Sequence, residues 1–219
     1  MRNPSLDLKT SYDRLTIEYV RRFYHELDHK PQDRELLDRF AEEVKDLGPV
    51  CDLGCGPGHI ARYLKDRGVD SFGIDLSPGM VAAARRLNSG IEFYQGDMLA
   101  LTAEDASWGG IVALYSIIHI DHDKVPRALQ EMKRVLKPGG LLLISFHIGD
   151  ETLHLDELWG EQVSLDFIFF TIAGMQDYLQ DAGFGIRESL ERAPYEEVEY
   201  PSQRAYILAQ KPVLQVSHN

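Results

Sequence analysis

Two rhythms of apolar residues alternate along the chain. Short apolar segments that predict buried strands end at Asp52 and run through "DSFGIDLS" (70–77), "IEFYQGD" (91–97), "GIVALYSII" (110–118) and "LLLISFH" (141–147). Between them, "HIARYLKDRG", "PGMVAAARRLNSG" and "DKVPRALQEMKRVLKPGG" predict helices, with stops at Gly68 and at Pro138, Gly139 and Gly140. Such alternation predicts βαβ units, hence an α/β fold with a mostly parallel sheet and helices on both faces. Residues 13–47 predict helix in two pieces separated by "DHKPQD". Beyond His147 the texture changes: "IGDETLHLDELWGEQ" is acidic and reads as irregular, while "VSLDFIFF" alternates like a strand. "TIAGMQDYLQDAGF" predicts a helix, and "GIRESLERA" and "RAYILAQ" predict two final strands. The expected organisation is one domain over 1–219: a helical cap at 1–47, a core at 48–147, an insertion at 148–170 after the fifth strand, and a sheet-completing segment at 171–219.

Length and charge narrow the partners. With 219 residues the chain fills one large domain. Its formal charge of −12, with no basic stripe, disfavours a phosphate backbone, so no nucleic-acid partner is expected. The beginning of the chain, "MRNPSLDLKTSYDR", lacks a signal-type apolar core, and "IVALYSIIHI" is about half as long as a membrane span requires. No membrane anchorage is expected, the cytoplasm is the expected compartment, and a monomer or homodimer the expected state. Cys51 and Cys55 stand without a second ligand pair and at the wrong spacing for a redox motif, so they read as small packing residues. His119, His122, His147 and His154 show no metal-ligand spacing, and no metal is expected.

The segment "VCDLGCGPGHIARYL" carries the sharpest signal. Gly54, Gly56 and Gly58 follow a strand and precede a helix, which lets backbone approach a ligand closely. The spacing is G-x-G-x-G, whereas the dinucleotide fingerprint is G-x-G-x-x-G, and Asp52 would repel a pyrophosphate. A cationic ligand without phosphate suits this turn better.

Four segments together resemble the class I S-adenosylmethionine-dependent methyltransferases: "DLGCGPG", "GIDLSPGM", "GDM" at 96–98 and "RVLKPGG", in the family's order from about Val50 to His147. The resemblance implies a Rossmann-like seven-stranded sheet and S-adenosyl-L-methionine as cofactor. It implies that Gly54, Gly56 and Gly58 line the methionine part with Asp52 facing the ammonium, directly or through water. Asp75 would accept from the ribose hydroxyls, Met80 and Met98 would cover the adenine, and Asp97 would accept from its amino group. Tyr115 and Ser116, at the end of the fourth strand, would lie beside the sulfonium. Plain core packing remains the alternative for both methionines, and helix capping the alternative for Asp75. Two departures stand out. His59 replaces a common small hydroxyl residue, and "YSIIHI" stands where nucleobase-methylating members carry Asn/Asp-Pro-Pro-aromatic.

An activated methyl donor chiefly requires its acceptor to be held in line, with a general base where a proton must leave. His119 and His147, both expected at strand ends on the ligand side, are the candidate bases, against the reading of histidines bonded within the fold. The aromatics Tyr12, Tyr19 and Phe23 are expected in a helical lid, with Trp159 in a second cover, so that Tyr12, Tyr19 and Trp159 wall the acceptor pocket; ordinary packing is the alternative. The expected function is methyl transfer to a small-molecule O, N or S acceptor. The competing readings are a non-catalytic cofactor-binding protein and a protein methyltransferase.

Overall fold

The computed structural model describes residues 6–213; residues 1–5, part of the segment read above for a leader, and the final six lie outside the described residues. The helices are α1 (Leu8–Phe23), α2 (Pro31–Val44), α3 (His59–Lys65), α4 (Pro78–Leu87), α5 (Val125–Val135) and α6 (Ile172–Asp181). The strands are β1 (Val50–Leu53), β2 (Ser71–Asp75), β3 (Phe93–Gln95), β4 (Trp108–Leu114), β5 (Leu136–His147), β6 (Thr152–Leu158), β7 (Glu161–Ile168), β8 (Gly185–Arg192) and β9 (Arg204–Gln210). One-turn helices occupy Glu26–His29 and Ile117–His119.

Seven strands form the main sheet in the order β3-β2-β1-β4-β5-β9-β8, parallel except for β9, which runs antiparallel to both neighbours. The central strands are apolar on both faces because helices cover both. Leu129, Met132 and Met175 pack on one face with Ile111 and Ile144, while Leu37, Phe40 and Leu64 pack on the other with Val112 and Leu143. The order reverses between β1 and β4, and the crevice outside their carboxyl ends is where such sheets bind ligands.

The inserted segment corrects the sequence reading. The stretch expected to be irregular contains β6, which pairs antiparallel with β7 in a separate hairpin. Leu153 and Leu155 keep period two, but a register shift between Leu155 and Glu157 moves Leu158 out of phase and hides the strand. A second correction concerns "KPGG", expected to close a helix; β5 already starts at Leu136, and its pairing with β4 shifts register there. The hairpin buries Val163 and Leu165 against Leu15 of α1, with Leu155, Leu158 and Trp159 around them, so cap and insertion share a small apolar core of their own.

Candidate active site

A cleft with about 730 Å³ of empty space, counted to its open mouth, lies over the carboxyl ends of β1, β2 and β4. Ligand pockets are commonly roughly 300–1,000 Å³. One side is walled by Gly54, Gly56, Asp75, Met80, Asp97 and Met98; the other by Tyr12, Tyr19, Tyr115, Ser116 and His119.

On the first side, Asp75 ends β2 and accepts from the Gly56 amide at 2.8 Å and the Ser77 amide at 2.9 Å, one with each carboxylate oxygen. Each oxygen keeps acceptor capacity for a diol. Burial raises its pKa, and those amide bonds oppose the rise. Asp97 accepts from the Leu99 amide at 2.8 Å, and Met80 is fully buried with an edge on the cleft. Gly54 (φ +78°) must lack a side chain, because its Cβ would stand 2.3 Å from Ser116 Cβ. The Ser116 hydroxyl is buried at the cleft wall with no partner among the described residues. An acceptor carboxylate, bare glycine backbone and an unsatisfied hydroxyl fit the ribose and methionine parts of S-adenosylmethionine, while Met80, Met98 and Asp97 fit its adenine.

On the second side, α1 is laid across the cleft. Ser11 bonds both the amide (2.9 Å) and carbonyl (3.5 Å) of Ser164 in β7, and Asp13 reaches α4. Tyr12 thereby meets His119. The Asp166 carbonyl oxygen only accepts, so His119 carries its proton on Nδ1, 2.8 Å away, and Nε2 accepts from the Tyr12 hydroxyl at 2.6 Å. Burial pushes His119 down to about 4, keeping it neutral at physiological pH. Tyr19 sits over the glycine turn, 3.4 Å from where a Gly56 Cβ would be.

Other expected site residues are placed elsewhere. Asp52 is buried behind the turn, off the cleft wall, and accepts from the Ala61 amide at 3.0 Å in the first turn of α3. Burial raises it to about 7, with His59 and that amide opposing. Gly58 starts α3 against the Phe93 ring rather than facing the cleft. His147 stacks on Phe169 and pairs through Nδ1 with the Ser202 hydroxyl at 2.7 Å; burial, helped by Arg204, lowers it to about 4. Trp159 packs on Phe23, Tyr19 and the Arg22 guanidinium, outside the cleft wall. Tyr115 does line the cleft, in the left-handed region (φ +52°), while its hydroxyl pairs with that of Tyr206 at 2.7 Å.

Sequence reasoning missed Asp13 and Ser77, and also a buried ionic cluster around Tyr115. Lys30 lies between Glu26 (2.6 Å) and Glu199 (3.0 Å), His59 meets Glu26 at 2.8 Å, and Arg192 joins Glu199 to Asp33. No local spacing announces it, since its members come from α2, α3, β8, β9 and the turns between.

Comparison with known proteins bears on the same segment. A family model described as a methyltransferase domain matches residues 50–140. A malonyl-acyl-carrier-protein O-methyltransferase of Enterobacter lignolyticus is 33% identical over 141 residues, covering 60% of this chain and 54% of that protein. A demethylmenaquinone methyltransferase of Renibacterium salmoninarum is 33% identical over 96 residues, covering 44% of this chain and 40% of that protein. The chain thus spans about half the length of the curated relatives it matches. An S-adenosylmethionine-dependent methyltransferase structure from Methanosarcina mazei superposes with a TM-score of 0.69 at 20% identity, covering 78% of this chain and 96% of that one. Motif order, strand order and the matched segment agree on a methyltransferase domain over residues 50–140, in a fold shared with S-adenosylmethionine-dependent methyltransferases.

Proposed function

We propose that the protein transfers the methyl group of S-adenosylmethionine to a small-molecule acceptor at oxygen, nitrogen or sulfur. The observation that carries this reading is the joining, in a single cleft, of the Asp75 and glycine-turn wall with the paired Tyr12 and His119. When bound, the cofactor supplies an already activated methyl group. The chain's own task is then to bind, orient and exclude water, and holding two reactants in line supplies roughly 7–11 kcal/mol. Asp75 holds the ribose, Asp97, Met80 and Met98 the adenine, and Gly54, Gly56 and Ser116 the methionine part. His119, neutral and acceptor at Nε2, takes a proton where the acceptor must lose one.

Both named relatives are methyltransferases, and neither name concerns a nucleic acid. The reading extends to a cytoplasmic protein, monomer or homodimer, that with a charge of −12 binds no nucleic acid and has no membrane partner; no helix among the described residues is long and apolar enough to cross a membrane. Incubation with methyl-labelled S-adenosylmethionine and pooled metabolites tests it: one acceptor should gain the mass of one methyl group. Tight cofactor binding with no labelled product from any pool would favour the non-catalytic reading, and absence of cofactor binding would sink both.

A further inference from the structure

Leu8, Tyr12, Leu15 and Tyr19 recur at helical spacing on one face of α1. Leu15 is spent on the hairpin core, and the other three reach the cleft. His119 enters from the short helix after β4, and the hairpin supplies the Asp166 carbonyl. Three separate elements thus converge on one imidazole. Its Nδ1 proton is held by the Asp166 carbonyl and its Nε2 lone pair by Tyr12. A molecule in the cleft meets Nε2 only by displacing Tyr12, whereas the Tyr12 oxygen, while donating to Nε2, still has lone pairs to accept with.

We propose that Tyr12 receives the acceptor's proton and passes its own to His119, and that the acceptor is therefore a neutral aromatic or enolic hydroxyl compound. The proposal rests on the methyl-transfer reading and deepens it. A carboxylate is ionised near neutral pH and has no proton to give, and an amine attacks through its own lone pair and releases its proton afterwards. A phenol-like hydroxyl must lose a proton to become a good nucleophile. Burial, and then the charge of Asp75, push the Tyr12 hydroxyl well above its ordinary range, so Tyr12 takes the acceptor's proton in concert with giving its own to His119 and does not ionise on the way. The rings of Tyr12, Tyr19 and Tyr115 line the cleft, the first two edge to face at 70°, and such aromatic walls suit an aromatic molecule.

The step balances. The acceptor O–H breaks and its proton goes to the Tyr12 oxygen, while the former Tyr12 proton goes to His119 Nε2. The pair left on the acceptor oxygen forms the new O–CH₃ bond, and the pair of the broken S–CH₃ bond stays on sulfur. One positive charge leaves sulfur and one appears on the imidazole, which later returns its proton to water. The titratable groups facing the pair are Asp166 from β7, Asp75 from β2, His147 from β5 and Tyr19 from α1. Of these, Asp166 favours the imidazolium and Asp75 disfavours ionisation of Tyr12.

The test uses the full chain with methyl-labelled S-adenosylmethionine and two probes, 1-naphthol and malonate. Methylation of 1-naphthol and not malonate is expected. Tyr12→Phe and His119→Gln should each lower the naphthol rate by about 10²–10⁴-fold, with the double variant no worse than the poorer single. S-adenosylhomocysteine affinity in Tyr12→Phe should stay within about threefold, because the ring remains. In ¹⁵N spectra of histidine-labelled protein, wild type should show the Nδ1–H tautomer of His119. Tyr12→Phe should shift the Nε2 resonance, and the acid limb of the rate profile should move to higher pH, because a donor that favoured the neutral ring is gone. Preference for malonate, methylation of neither probe, or a Tyr12→Phe variant with undiminished naphthol turnover overturns the relay. If wild type still binds S-adenosylhomocysteine in those cases, the cofactor reading survives; if it does not, the methyl-transfer reading itself has failed.

Discussion

Asp13 Oδ1 accepts from the Ser77 hydroxyl at 2.5 Å and from the Gly79 amide at 2.9 Å, while Ser77 Oγ accepts from the Met80 amide at 3.0 Å. The start of α4 is thus capped twice, once by its own serine and once by a carboxylate from the lid helix, where the helix dipole favours negative charge. This contact ties α1 to the cofactor side of the cleft, as Ser11 ties it to the hairpin. Asp13→Ala should cost about 1.5–3 kcal/mol, the range for a hydrogen bond to a charged group, read by urea unfolding. Hydrogen exchange in residues 8–23 should quicken more than in α5, and adding S-adenosylhomocysteine should slow it again. Equal exchange in both segments of the variant would mean that the hairpin alone holds the lid.

Asp75 is the carboxylate at the end of β2 on the cleft wall, with both oxygens already oriented by backbone amides. Replacing it with alanine should weaken S-adenosylmethionine binding by about 1.5–3 kcal/mol by calorimetry. The same affinity in a folded variant would remove Asp75 from the site. Ser116→Ala is the informative companion: loss of affinity there would show that the unpartnered hydroxyl is satisfied by the ligand.

The sheet and its covering helices were legible because the parallel strands are continuous apolar runs between well-marked helix stops, and the glycine turn because its residue types have few other uses. Strand β6 was not legible, since its bulge breaks the period and its Asp156 and Glu157 face solvent. Within the site, residues near one another in sequence, such as Asp75 and Met80, were readable from local motif. Asp52 was less legible because one carboxylate at a strand end serves equally to face a ligand or to cap the next helix, and its contact with the Ala61 amide leaves no trace in local spacing. The pairing of Tyr12 with His119 spans 107 positions and leaves no periodic trace. His119 and His147 looked alike in sequence; the packing of Phe169 and Ser202 around His147 separates them.

Stability without ligand should depend on pH through groups of opposite sign. Asp52 is raised from an ordinary 3.8 to about 7, so its contribution is fully present below about pH 4 and is lost as pH rises through 7. His119 and His147 are lowered from 6.5 to about 4, so theirs is present above about pH 6.5 and is lost as pH falls through 4. The slopes overlap and oppose, two histidines against one carboxylate, and the variants should separate them. Relative to wild type, Asp52→Asn should gain stability progressively from about pH 4 to pH 8, and His119→Gln should gain it as pH falls from about 6.5 to 4. Urea unfolding across that range checks both, and parallel curves for wild type and Asp52→Asn would show that Asp52 is not protonated in the fold.

Arg192 donates to both oxygens of Glu199, at 2.7 and 2.9 Å, to Asp33 at 2.9 Å and to the Tyr206 hydroxyl at 2.7 Å, all buried beside Tyr115. Burial by itself raises Glu199, but the bonds from Arg192 and the charge of Lys30 outweigh it and hold the carboxyl at about 2. Asp33 remains raised, because burial outweighs its bonds from Tyr206 and Arg192. One cation thus serves two of the cluster's carboxylates, Glu199 and Asp33. Removing it breaks two buried ion pairs, and breaking a buried pair typically costs about 3–5 kcal/mol. Arg192→Met, of similar length and apolar, should show a loss of that size in urea unfolding. Adding Glu199→Gln to it should recover part of the loss, because one uncompensated charge is then removed. A double variant no more stable than Arg192→Met alone would mean that the guanidinium acts through packing on Tyr195 and Tyr206, over whose rings it lies at 4.2 and 5.4 Å, and not through charge.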